Sequence, residues 1–162
     1  MTPAAVALRP LQRGDIGRAA RFAIEGMHLD RYASGLALEM YGRDMVCEAL
    51  TGTTLPLAAY EDDRLLGYLL ASFNGEAEPF ARSWEALFHR VVSALAPLTG
   101  SGRAEEPYVA ANREMRSGIN PEPDGEILLF AVDPRAAGRG GGGPEPEVFL
   151  RTADLPRRRQ RL

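Results

Sequence analysis

A short apolar run at residues 126–132, Glu126-Ile127-Leu128-Leu129-Phe130-Ala131-Val132, stops at Asp133-Pro134 and opens into Arg135-Ala136-Ala137-Gly138-Arg139-Gly140-Gly141-Gly142. A near-continuous apolar run of this length reads as a strand buried on both faces. Asp-Pro ends it in a turn, because proline offers no N–H and restricts the residue before it. The glycines that follow let the main chain come close to a ligand and adopt φ > 0, so several backbone N–H groups can converge on a phosphate. A helix after the loop would add its positive N-terminal end. Pro144 and Pro146 forbid a regular helix directly there.

The chain upstream supplies further elements. Residues 6–11 alternate like a short first strand. Asp15 is placed to cap a helix beginning at Ile16, with Ile16, Ala19, Ala20, Ala23 and Ile24 on its apolar face. Residues 32–50 read as a second helix with Leu36, Met40 and Val46 as core positions. Residues 55–60 and 65–73 form two strands joined by the turn Glu61-Asp62-Asp63-Arg64, a hairpin in which Gly67 marks a bulge. Residues 74–124 are too many for a structureless loop. In them Phe80, Trp84, Leu87, Phe88, Val91 and Leu95 recur at helical spacing and predict a core-packing helix ending near Pro97. Tyr108, Ala111, Met115 and Ile119 predict another; the functional reading of both stripes is a cover over a substrate site.

Composition narrows the function. The 162 residues carry a net charge of −3, and every positive side chain is arginine, so a general nucleic-acid binder is not expected. Cys47 is the single cysteine, which excludes an internal disulfide and a cysteine metal site. Its apolar surroundings read as a core thiol in preference to a nucleophile. His28 and His89 read as surface or core residues in preference to catalytic ones. The N-terminus lacks a signal peptide's pattern and no apolar run is long enough for a membrane helix, so a cytoplasmic protein is expected.

The order of elements, with Val132-Asp133-Pro134-x-x-Ala137-Gly138-Arg139-Gly140-x-Gly142, resembles the GNAT superfamily of acetyl-coenzyme A-dependent acyltransferases. The family signature, Gln/Arg-x-x-Gly-x-Gly/Ala after the fourth strand, falls on residues 137–142. Gly138, Gly140 and Gly142 fit. Ala137 replaces the usual Gln or Arg, and Gly141 the usual apolar residue. The resemblance spans roughly residues 5–142. It implies an α/β fold: a mixed, mostly antiparallel sheet flanked by helices, with a helical insert (about 74–124) between the third and fourth strands. Residues 1–142 would be the N-terminal part of a single domain whose C-terminal part is missing. Residues 143–162 would be an irregular Pro/Arg-rich tail, which we expect to arise from a frameshift after about Gly140.

By the same resemblance, amides of Ala137, Gly138, Arg139, Gly140, Gly141 and Gly142 grip the cofactor pyrophosphate, and the pantetheine arm pairs with main chain near Phe130 and Val132. Arg135 and Arg139 read equally as phosphate contacts or exposed loop residues. Glu126 stands where some members keep a general base, and burial beside apolar neighbours would suit that task; a surface carboxylate is the competing reading. The Val132 N–H would stabilise the oxyanion. The general acid is unassigned. The activity implied is acetyl transfer from acetyl-coenzyme A to an amine of a small molecule or peptide, with no nucleic-acid or membrane partner and a homodimer left open. The alternative is a catalytically inert fragment. A nucleotide-binding domain is disfavoured, since neither Gly-Lys-Ser/Thr nor a Rossmann glycine pattern after the first strand is present.

Overall fold

The computed structural model describes residues 6–99, 114 and 123–136. They form β1 (Val6–Pro10), α1 (Ile16–Met27), α2 (Gly35–Thr51), β2 (Leu55–Glu61), β3 (Arg64–Phe73), α3 (Trp84–Thr99) and β4 (Gly125–Val132), with short 3-10 turns at Arg13–Asp15 and Leu29–Arg31. The strands make one antiparallel sheet in the order β1-β2-β3-β4. This is the expected α/β class. The second stripe, Tyr108 to Ile119, the glycine run 137–142 and the tail 143–162 lie outside the described residues.

One face of the sheet carries the helices. Ala58, Tyr60, Leu65, Tyr68, Leu70, Leu129 and Ala131 share a core with Ile16, Ala19, Ala20, Phe22, Val46, Cys47 and Leu50 of α1 and α2. Two tyrosines reach across to the first helix. The Tyr68 hydroxyl donates to the Ala19 carbonyl at 3.1 Å, and the Tyr60 hydroxyl donates to Asp15 Oδ2 at 3.0 Å. The expected cap at Asp15 is therefore not made: its side chain gives no cap hydrogen bond and receives the tyrosine. The two helices meet closely at Gly42, where a Cβ would stand 2.5 Å from the Ile24 side chain. The opposite face holds a smaller cluster, Ala59, Leu66 and Leu69, against which Leu8, Leu57 and Phe130 pack.

Two bulges set which side chains reach which face. In β2–β3 the pairs run Ala59↔Gly67 then Tyr60↔Leu65, so Leu66 is the extra residue. An extra residue reverses the alternation, and accordingly Leu65 joins the helix-side core while Leu66 joins the other cluster. The expected bulge is thus at Leu66, the neighbour of Gly67. Gly67 itself faces β4, where a Cβ would lie 3.0 Å from the Ala131 carbonyl oxygen. In β3–β4 the pairs run Leu70↔Leu129 then Ala71↔Ile127, so Leu128 is extra.

Three expectations are corrected. The fourth strand is not buried on both faces: among the described residues it lies at one edge of the sheet, only Leu129 and Ala131 of it are buried, and Ile127 is 58% exposed. In α2, Leu36 and Met40 are exposed while Val46 is fully buried, because the helix begins at Gly35 and only its second half lies over the sheet core. In α3, Phe88 packs on the core, but Trp84, Leu87, Val91 and Leu95 are exposed. That helix packs chiefly on α2, so only a narrow stripe of it is covered.

Candidate functional site

The best-defined polar arrangement is where β4 leaves the sheet. The Asp133 N–H donates to the Leu66 carbonyl at 2.7 Å, extending the pairing one residue past the strand. Its carboxylate is buried and doubly engaged. Arg64 Nη2 donates to Oδ2 at 2.6 Å and the Arg135 N–H donates to Oδ1 at 2.9 Å. The Ala136 N–H closes the turn on the Asp133 carbonyl at 2.8 Å. Burial pushes the Asp133 carboxyl up, but the Arg64 and Arg135 hydrogen bonds and charges outweigh it and hold the group below its ordinary value. The start of the loop is thereby fixed to the first residue of β3, through Pro134 and Arg135 up to Ala136. The sequence marks Asp133 only as a turn residue. Its pairing with Arg64, 69 positions earlier, carries no local signal.

Of the expected site residues, Glu126 lies at the opposite end of the same strand. It is exposed, in register with Ser72, so the expected burial beside apolar neighbours is not found. Simple alternation would put Glu126 on the face of Phe130. The extra residue at Leu128 transfers it to the helix-bearing face, since cross-strand partners share a face and Ser72 follows Leu70. Phe130 is half-buried against the Ala59–Leu66–Leu69 cluster, and Val132 pairs with Gly67. Arg135 is exposed. Ala137, Gly138, Arg139, Gly140, Gly141 and Gly142 lie outside the described residues.

A second polar group joins α2 to α3. His89 Nδ1 lies 3.1 Å from Asp44 Oδ1, and His89 Nε2 lies 3.4 Å from Ser93 Oγ. The order resembles an acid–base–nucleophile relay. However, Ser93 is on the exposed side of a regular helix, one turn from His89. The arrangement orients the imidazole and ties two helices together. His28 takes a left-handed conformation (φ 54°) and ends α1 by donating its N–H to the Ile24 carbonyl. Cys47 is buried, as expected; desolvation pushes its thiol up to about 11, against the lowering influence of Arg43.

Among the described residues no group of three His, Cys, Asp or Glu side chains is arranged to hold a metal ion, and no helix is long and apolar enough to cross a membrane. Compared with protein-family models, with curated proteins and with solved structures, the chain matches none.

Proposed function

We propose that the chain is an acetyl-coenzyme A-dependent N-acetyltransferase acting on an amine of a small molecule or peptide. One observation carries the reading. A bulged strand following an antiparallel hairpin delivers the chain, through a fixed Asp-Pro turn, straight into Arg135-Ala136-Ala137-Gly138-Arg139-Gly140-Gly141-Gly142. A phosphate cradle needs glycines for close main-chain approach and a rigid platform that sets where they start. The Asp133–Arg64 pair supplies that platform.

In this reading the glycine amides bind the pyrophosphate, and the pantetheine arm runs back along β4 past Val132 and Phe130, carrying the acetyl group toward Glu126. The acceptor amine must be neutral to attack the thioester carbonyl. Glu126 takes its proton, directly or through water. The new C–N bond forms as the C–S bond breaks, and the leaving thiolate takes its proton from solvent. Ile127, large, apolar and exposed on a strand at the edge of the described sheet, favours a second reading in which the fold persists without catalysis.

Thermal unfolding with and without acetyl-coenzyme A separates the two. A working cradle gives a melting temperature that rises with ligand concentration, by about 2.7 kcal/mol of added stability at a hundredfold excess over Kd. An unchanged melting temperature at millimolar acetyl-coenzyme A refutes the proposal. Release of free thiol on adding an amine panel then tests the transfer itself.

A further inference from the structure

A cavity of about 300 Å³ lies where the start of α1, the middle of α2 and the start of α3 converge, lined by Arg13, Ile16, Arg43, Cys47, Trp84 and Glu85. Its volume is at the lower end of the range for small-molecule sites, roughly 300–1,000 Å³. Glu85 is the unusual member. It is 2% exposed, yet its carboxylate has one ionic contact, Oε1 to Arg13 Nε at 3.4 Å, while Oε2 is buried with no hydrogen-bond partner among the described residues. Its place in the first turn of α3 favours negative charge through the helix dipole, but leaves the lone pairs of Oε2 unused. A buried acceptor without a donor is costly, and a charged one more so. The Arg13 side chain that contacts Oε1 is 67% exposed, so it can swing into water at the loss of little buried contact beyond that ionic one.

With Arg13 displaced, the cavity presents one carboxylate, Glu85, and one guanidinium, Arg43, the latter lying over the Phe88 ring with its centre 5.6 Å away. Ile16 and the exposed face of Trp84 supply apolar wall. A simple anion would meet Glu85 and a simple cation would meet Arg43. A ligand bearing both charges satisfies both walls. We propose that this cavity binds a free α-amino acid with an apolar side chain, its ammonium on Glu85, its carboxylate on Arg43 and its side chain against Ile16 and Trp84. Cys47 stays a neutral thiol beside it and adds no charge. The site is independent of acetyl transfer, and its occupancy is measured with no acetyl-coenzyme A present.

Trp84 is the single tryptophan of the chain and lines this cavity, so a ligand bound there changes its fluorescence. The experiment titrates the full chain with L-leucine, with L-leucinamide, which lacks the carboxylate, and with 4-methylpentanoate, which lacks the amine. Leucine is expected to give a saturable change with a Kd of about 1 mM or tighter. Each analogue is expected to bind at least about tenfold more weakly, the loss of one charged hydrogen-bonding group. Glu85→Gln and Arg43→Gln are each expected to weaken leucine binding by about tenfold or more, with an unchanged circular dichroism spectrum. No saturable change with leucine overturns the proposal. So does either analogue binding as tightly as leucine, since that makes the cavity a plain anion or cation site. Should Glu85→Gln fail to fold, the analogue series on the unmodified chain and the Arg43→Gln variant still decide.

Discussion

Replacing Asp133 by asparagine tests the claim that one buried carboxylate fixes the mouth of the glycine loop. The change keeps the shape and one acceptor for the Arg135 N–H, but removes the charge and turns an amide N–H₂ toward Arg64. A hydrogen bond to a charged group is worth roughly 1.5–3 kcal/mol. Arg64 is about half exposed, so water screens the pair and re-solvates the guanidinium once it is broken. The expected cost of Asp133→Asn is therefore about 1–2 kcal/mol, well short of the roughly 3–5 kcal/mol of a fully buried pair. The pH dependence gives the sharper test. The native pKa lies below the unfolded one, so the native state binds fewer protons and the contribution is complete above the unfolded value of about 4. It fades as pH falls through the native value. Urea unfolding followed by circular dichroism should thus give a constant gap between wild type and variant from about pH 7 to pH 5, closing below about pH 4. A gap under about 0.3 kcal/mol at neutral pH, or one that persists unchanged to about pH 3, refutes the reasoning.

Two further outcomes follow from burial and exposure. The Cys47 thiol, pushed from 9.0 to about 11, should react with a disulfide reagent at about pH 8 roughly a hundredfold more slowly in the folded chain than in urea, from thiolate fraction alone; equal rates would show the thiol to be open. Ile127→Thr removes a large apolar side chain from the edge of the described sheet, so light scattering should show slower self-association while unfolding free energy changes by no more than about 0.5 kcal/mol; unaltered scattering would mean that this edge does not drive association.

Much of the framework was legible because it is local. Alternation and the Asp62-Asp63 turn define the β2–β3 hairpin, and the 3.6-residue period finds Ile16, Ala19, Ala20 and Ala23 as the buried side of α1. What escaped depends on partners distant in the chain. Asp15 has the chemistry of a cap, but Tyr60, 45 residues away, takes its carboxylate. Leu36 and Leu87 obey helical spacing and still face solvent, since periodicity says which residues share a side and not what covers it. No composition signal distinguishes Leu128 from Leu129, yet one is the bulge and the other the buried core residue. Glu85 sits among aromatic and aliphatic neighbours in the sequence, with nothing there to mark its burial.

The separation of the two ends of β4 gives the acetyl-transfer reading its most discriminating consequence. Glu126 and Asp133 are seven positions apart on an extended strand, roughly 23 Å at about 3.3 Å per residue, less whatever the bulge takes up. A base at one end and a phosphate-binding loop beyond the other cannot contact the same part of a cofactor, so their variants must fail in different ways. Glu126→Gln is expected to lower kcat by about tenfold or more, with the loss recovered partly at higher pH as the amine deprotonates unaided. It should leave the thermal shift caused by acetyl-coenzyme A intact. Gly140→Val, which adds a branched side chain to the loop, should abolish that shift. A Glu126→Gln variant that loses cofactor binding, or one that retains full kcat while Gly140→Val also binds normally, would separate this strand from the chemistry assigned to it.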